Sequence, residues 1–374
     1  MIGRALLAAA VLALLATLFA FKASSKMPDF EVYWRAGTRA LAGESLYRQE
    51  DGHYQLKYLP AFAILSIPAA LLPLGTAKAI WFMFSAALIG ALLTLSLALL
   101  PLRRRPAWTL TAIALVAMAK FYGHELILGQ VNLLLATVVV LAVHLIAAQR
   151  PAAAGLLLAL AVIVKPYAIV MLPWIAAQRA ARALTAAQAG VIAALAAPAM
   201  VYGFDGTVAL HRDWWRTVTD STAPNLLNPD NVSLAAMFAK WMGAGPIAGW
   251  LAAIAALLLL AAAAIAFACR RRVVAPAGLE AALLLTLIPL LSPQGWDYVF
   301  LLATPAVLYF ANYDTELPAG LRAVTWIALA VAGLTIYDVV GRTAYGAFMR
   351  LSAVSVCFLV VITALLALRL RRVA

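Results

Sequence analysis

The chain has 374 residues, of which 66% are hydrophobic and only 11% charged, and its formal net charge is +13. A soluble core of that size would alternate apolar and polar faces far more, so the composition excludes an ordinary soluble enzyme and indicates an integral membrane protein. The basic excess, with its Arg clusters between apolar runs, fits anchoring at an anionic leaflet and not nucleic-acid binding.

Tilted helices are the expected element, because lipid cannot satisfy an open backbone and the sequence lacks the short alternating strands of an outer-membrane barrel. The first apolar run, from Ile2 to Phe21, is longer than the apolar region of a typical signal peptide. It reads as a transmembrane helix, although Ala23-Ser24-Ser25 offers a weak cleavage-like site. A polar segment follows from Lys22 to about Lys78, with Asp29, Glu31, Trp34, Arg35, Arg39, Tyr47, His53, Tyr54, Lys57 and Tyr58. Within it, residues 29–42 predict an amphipathic helix at a headgroup layer, with Phe30, Tyr33, Trp34, Gly37 and Leu41 on one face. The apolar stretch Tyr58 to Leu74 contains three prolines and is expected to lie on the outer leaflet. If it crossed instead, every later loop would invert.

The remaining apolar runs predict spans at 77–101, 106–122, 129–148, 152–165, 167–178, 183–203, 246–269, 279–293, 297–311, 321–337 and 347–369. Counting the first run (4–22), that is about twelve crossings with both termini on one side. The Arg103-Arg104-Arg105 and Arg270-Arg271-Arg272 clusters, Arg150, Arg179, Arg182 and the C-terminal arginines share that side, which the positive-inside rule makes cytoplasmic. Lys22 and Lys26 run against the rule. The expected organisation is one polytopic domain, 1–374. Its parts are a first helix (1–22), an outer loop with interfacial helices (23–76), helices 2–7 (77–203), a second large outer loop (204–245) and helices 8–12 (246–374). The half-helices 152–165 and 167–178 are each too short for a bilayer core and are expected to border a cavity, with Lys165-Pro166 at their turn. The spans after residue 280 carry few charges and are expected to be lipid-facing support. Cys269 and Cys357 fall within apolar runs and read as packing residues.

The chemistry concentrates at the predicted outer face. Asp29 emerges just past the first helix, where a carboxylate can serve as a base on a substrate held at the bilayer boundary; the alternative is an N-cap of the interfacial helix. Lys165 is an ionisable group in an apolar segment, which is expensive unless it faces a cavity and an anionic partner such as a phosphate. Lys57 and Arg212 are weaker phosphate candidates. Tyr33, Trp34, His53, Tyr58, His124, Gln130, Asn132, Asn231, Trp296 and Tyr298 are polar or aromatic candidates for contacting a substrate. For the tryptophans the plainer reading is an interfacial aromatic belt, and for Gln130 and Asn132 it is helix-terminal hydrogen bonding. The His124-Glu125 pair reads as local structure. No zinc-like ligand spacing occurs and the first outer loop has no Asp-x-Asp, so metal-independent chemistry without a cofactor is expected.

The run from Asp29 through Gly43 to Tyr47 resembles the opening signature of glycosyltransferase family 87, polytopic enzymes of the GT-C fold. Tyr58-Leu59-Pro60, Gly129-Gln130-Val131-Asn132, Gly155 through Lys165-Pro166, Asp230-Asn231-Val232-Ser233-Leu234 and Ser292-Pro293-x-x-Trp296 resemble the later motifs in the same order. The chain departs from the pattern at Tyr298, where members often carry His. The resemblance implies transfer of a sugar, mannose in relatives, from a polyprenyl-phosphate donor to a glycolipid or glycan acceptor. It also implies inversion at the anomeric carbon, Asp29 as base, and an active site on the outer face of the cytoplasmic membrane. The rival reading is a transporter or flippase for a lipid-linked or anionic solute, which would also use many spans, a broken helix pair and a buried lysine.

Overall fold

The computed structural model describes residues 13–269 and 275–371. Apolar composition leaves the backbone to satisfy itself, and every regular element among the described residues is helical. Helix α1 (Ala13–Ala23) leads into α2 (Pro28–Ala42), followed by two short helices, α3 (Pro60–Leu65) and α4 (Ile67–Ala70). Next come α5 (Leu74–Ala98), α6 (Ala107–Leu128), α7 (Asn132–Ala147), α8 (Pro151–Val164), a 3₁₀ turn at Pro166–Val170, α9 (Met171–Ala177) and α10 (Ala181–Ala196). The chain continues through α11 (Ala199–Asn225), α12 (Leu234–Met242), α13 (Pro246–Ala268), α14 (Pro276–Leu291), a 3₁₀ segment at Asp297–Ala303 and α15 (Thr304–Tyr313). It closes with α16 (Ala319–Leu334), α17 (Tyr337–Arg350) and α18 (Ala353–Leu370). Proline opens α2, α8, α13 and α14, where its missing N–H costs nothing.

Among the described residues, helices α5, α6, α13 and α18 are long and apolar enough to cross a membrane, and the bent pairs α10–α11 (88°) and α16–α17 (107°) raise the number to six if each pair is one span. The shorter apolar helices α1, α7, α8, α14 and the broken segment Pro166–Ala177 accompany them. The expected spans 183–203 and 321–337 therefore end early: α10 stops at Ala196 and α16 at Leu334, and each chain then bends into a more polar helix. The expected 347–369 span joins the end of α17 to α18 across a break at Leu351–Ser352. Much of what reads as the second polar loop is the 27-residue α11.

Two ends of the bundle are set by cross-chain bonds. At one end, the Met27 N–H donates to the Ile127 carbonyl (3.0 Å), joining the start of α2 to the end of α6. At the other, Asn312 and Tyr313 side chains bond the Leu102 carbonyl (both 2.8 Å), and Arg105 pairs with Asp314 at 2.6 Å. Arg104 pairs with Glu316. Those arginines are thus held in protein–protein ion pairs as well as marking a basic end; Arg270 to Arg272 and Arg372 lie outside the described residues.

The segments after residue 280 are not all lipid-facing support: α16 and α17 leave apolar residues such as Ile327 and Val339 exposed, but α14 and α15 do not. Residues 278–290 of α14 and 297–314, through α15, are buried throughout. Hydropathy cannot separate a helix facing lipid from one facing other helices, because both environments are apolar. This half also holds a buried ion pair, Arg369 to Glu280 (3.0 Å, each side chain 1% exposed), joining the end of α18 to the start of α14. Trp174 and Gln178 of the α9 region donate to the same Glu280 carboxylate.

Candidate active site

The site forms where α2, the 55–60 loop, the α6–α7 turn, the α8–α9 break and the Trp296–Tyr298 segment meet. Helix α2 buries Phe30, Val32, Tyr33, Ala36, Gly37 and Ala40, while Leu41, expected on that face, is exposed. A Cβ on Gly37 would lie 2.5 Å from the Ser66 carbonyl oxygen, so glycine lets α3 and α4 press onto α2. Gly129 performs the matching role in the α6–α7 turn. Its φ of +70° lies in the left-handed region, and a Cβ there would come within 2.7 Å of Phe30. The alternative N-cap role for Asp29 does not hold: Met27 occupies that position and Asp29 is the second residue of the helix.

Gln130 is the hub. Its Oε1 accepts from the hydroxyls of Tyr33 (3.1 Å) and Tyr58 (3.3 Å), and its Nε2 donates to the Tyr298 hydroxyl (3.0 Å). The Tyr33 and Tyr58 hydroxyls also lie 2.7 Å apart, so that one of them can donate to the other in place of Gln130; their rings meet edge to face and Phe62 stacks on Tyr58. Burial pushes the Tyr33 and Tyr58 phenols well above their ordinary range, and the Asp29 charge adds to it, so both remain hydroxyl donors. The Lys165 ammonium sits over the Tyr58 ring, 5.7 Å from its centre, at the extended residue between α8 and the 3₁₀ turn.

Asp29 is close enough for its carboxylate to act electrostatically on Tyr33, Lys57, Tyr58, Lys165 and Tyr298. Burial pulls the Lys57 ammonium below the usual lysine range, and Asp29 opposes that shift. The loop carrying Lys57 and Tyr58 is braced from both sides: Trp214 Nε1 donates to the Lys57 carbonyl (3.3 Å) and the Tyr47 hydroxyl to the Tyr58 carbonyl (2.7 Å). Asn132 joins through Glu125, whose carboxylate accepts from Asn132 Nδ2 (2.8 Å) and the Leu133 N–H (2.9 Å).

Other candidates stand apart. Trp34 donates to the Leu72 carbonyl (2.9 Å) and fastens α2 to the end of α4. Asn231 Nδ2 bonds the carbonyls of Asn225 (3.0 Å) and Pro293 (3.1 Å), and its backbone forms an isolated bridge with Trp296, so both brace loops. The Arg212 side chain is exposed on α11 and enters none of the contacts that assemble the cluster. The side chain of His53 lies outside the described residues. His124 Nδ1 approaches Asp297 Oδ1 at 3.5 Å. Asp297 is itself paired with Lys120 at 2.9 Å, with both side chains almost fully buried. That second polar cluster, extended by the Tyr345 hydroxyl on Asp230 (2.8 Å), was not anticipated. Its signal was available: Lys120 is an ionisable residue in an apolar helix, four residues before His124 on the same face. Among the described residues no group of three or more His, Cys, Asp or Glu is placed to hold a metal ion.

These features define a helical membrane protein with a buried polar site at one end of its bundle. A family model for glycosyltransferase family 87 matches residues 56–293. The chain belongs to that family, and it is a glycosyltransferase acting between a donor and an acceptor. No curated protein and no solved structure matches it. The matched segment contains Lys57, Tyr58, His124, Gln130, Asn132, Lys165, Arg212 and Asn231. Asp29, Tyr33, Trp34 and His53 precede it, while Trp296 and Tyr298 lie just beyond it.

Proposed function

We propose that the protein transfers a sugar, with mannose the first to test, from a polyprenyl-phosphate donor to a lipid or glycan acceptor at the outer face of the cytoplasmic membrane. The observation that carries this reading is the company Asp29 keeps: one carboxylate grouped with two ammonium groups and three tyrosine hydroxyls. An acceptor hydroxyl attacks the anomeric carbon as Asp29 takes its proton. The bond from that carbon to the phosphate oxygen breaks from the opposite side, giving inversion, and the electron pair leaves with the polyprenyl phosphate. Lys165 and Lys57 offset the charge on that phosphate. The Tyr298 hydroxyl accepts from Gln130 and has its own proton to offer a substrate oxygen. Family membership favours this chemistry over the transporter reading.

The test uses purified full-length protein with polyprenyl-phosphate mannose. Release of polyprenyl phosphate is expected only when a glycolipid or glycan acceptor is supplied. Asp29→Asn should abolish release while leaving expression and the unfolding midpoint in place. Undiminished turnover in that variant removes Asp29 as the base.

A further inference from the structure

His124 stands on the α6 face that also carries Lys120, one turn earlier, and Ile127 and Leu128, one turn later. The two ends of that face meet different surroundings. At one end the Lys120 ammonium is buried against Asp297 (2.9 Å, side chains 0% and 2% exposed). At the other, Ile127 and Leu128 border a cavity of about 370 Å³ that Ser25, Pro28, Glu31 and Tyr54 help to line. Pro28 and Glu31 bracket Asp29 in sequence, so this cavity lies against the first turn of the helix that carries the proposed base.

Between those ends the His124 ring is open, with 35% of its side chain exposed. Its Nδ1 lies 3.5 Å from Asp297 Oδ1, a separation long for a hydrogen bond, as such contacts often are before a substrate closes on them. Asp297 is the ionised partner of Lys120 and can only accept, so Nδ1 carries the proton that faces it. The carboxylate is itself fixed, by Lys120 and by the Asp297 N–H on the Asp230 carbonyl (3.0 Å). That leaves Nε2 as the free edge of the ring, and among the described residues it bonds nothing. Nε2 accepts when the imidazole is neutral and donates when it is charged. A sugar hydroxyl, donor and acceptor at once, suits it in either state.

We infer that His124 is an acceptor-binding residue: its Nε2 bonds a hydroxyl of a carbohydrate acceptor that enters by the cavity beside α2, and Asp297 positions the ring. The inference rests on the glycosyl-transfer reading with Asp29 as base. The donor phosphate is assigned there to Lys57 and Lys165, on the 55–60 loop and the α8–α9 break, so mutation can separate the two substrates.

The test uses the full chain in lipid nanodiscs, with farnesyl-phosphate mannose as donor and octyl α-mannoside as acceptor. The donor Kd is read by titration and the acceptor KM from the initial rate of farnesyl phosphate release. His124→Leu should raise that KM about tenfold, the worth of one lost hydrogen bond, and leave the donor Kd unchanged. His124→Gln, whose amide also donates and accepts, should recover most of the loss. Lys120→Met combined with Asp297→Asn removes both buried charges together. It should raise the acceptor KM while sparing the donor Kd, and His124→Leu should cost less in that background than alone. An unchanged KM in His124→Leu, or a donor Kd that rises as far as the KM, overturns the inference. Undiminished cost of His124→Leu in the combined variant overturns the positioning role of Asp297. Donor binding without a saturable response to octyl α-mannoside overturns the inference alone. Failure of the unaltered chain to bind the donor overturns the transfer reading and the inference with it.

Discussion

Gln130 is the residue whose replacement most directly tests the site's geometry. Its amide bonds the hydroxyls of Tyr33, Tyr58 and Tyr298, of which Tyr33 and Tyr298 are buried and Tyr58 partly so. Gln130→Ala should lower stability by about 1–3 kcal/mol per hydroxyl left without a partner, seen as a fall in the thermal midpoint, and should reduce turnover further than the stability loss explains. A second residue-level prediction concerns pH. Arg39 binds Asp51 through two parallel bonds (2.5 and 2.7 Å), which hold the Asp51 carboxyl below the usual carboxylate range against the opposing effect of burial. A carboxyl depressed in the fold contributes stability that is fully present above its unfolded value of about 3.9 and is lost as pH falls toward its folded value. The thermal midpoint should therefore drop on acidification below about pH 4, and Asp51→Asn should flatten that part of the curve.

At the scale of elements, the amphipathic reading of residues 29–42 matches α2 (Pro28–Ala42) to within one residue, because the apolar period there is strong. The broken pair 152–165 and 167–178 was also legible, since a proline after Lys165 removes a donor and disfavours helix at the preceding residue. The bends at 197–198 and 335–336 were missed: Pro198 offered the same signal at the first, while at the second neither Thr335 nor Ile336 is a proline or glycine and packing decides where α16 ends. The second bend leaves α17 held by few ties: Lys240 Nζ reaches the Met349 carbonyl (3.3 Å), Trp241 the Leu351 carbonyl (2.9 Å) and Tyr345 the Asp230 carboxylate. Lys240→Met should raise hydrogen exchange across residues 337–350 and leave exchange in α5 and α7 unchanged. At the opposite end, Arg369→Met strands Glu280 without its counter-charge. A loss of about 3–5 kcal/mol is expected, read as a lower midpoint in thermal or denaturant unfolding.

For the whole molecule, the arrangement has a polar end built on Asp29, Gln130 and Lys165 and an opposite end built on Arg104, Arg105, Asp314 and Arg369. Sidedness is tested by single cysteines placed in a chain with Cys269 and Cys357 replaced. Ser45→Cys, near the Asp29 end, should react with an impermeant maleimide in intact cells, and Arg103→Cys only after the membrane is opened. The reverse pattern would put the site on the cytoplasmic face.

The amino-acid sequence by itself determined the class, a helical membrane protein, because two-thirds apolar composition and span-length runs are properties of local stretches. It also carried the family, since ordered short motifs survive without knowledge of what they touch. Only the tertiary structure decided which residues share a site. Tyr33, Tyr58, Gln130 and Tyr298 come from segments up to 265 positions apart and meet through one amide. It likewise buried α14 and α15 of the sparsely charged C-terminal part, expected as lipid-facing support, and paired Lys120 with Asp297 in a second buried cluster. The physical reason is the same in each case: hydropathy measures transfer from water, while lipid, protein interior and a buried polar site differ only in the neighbours that folding supplies.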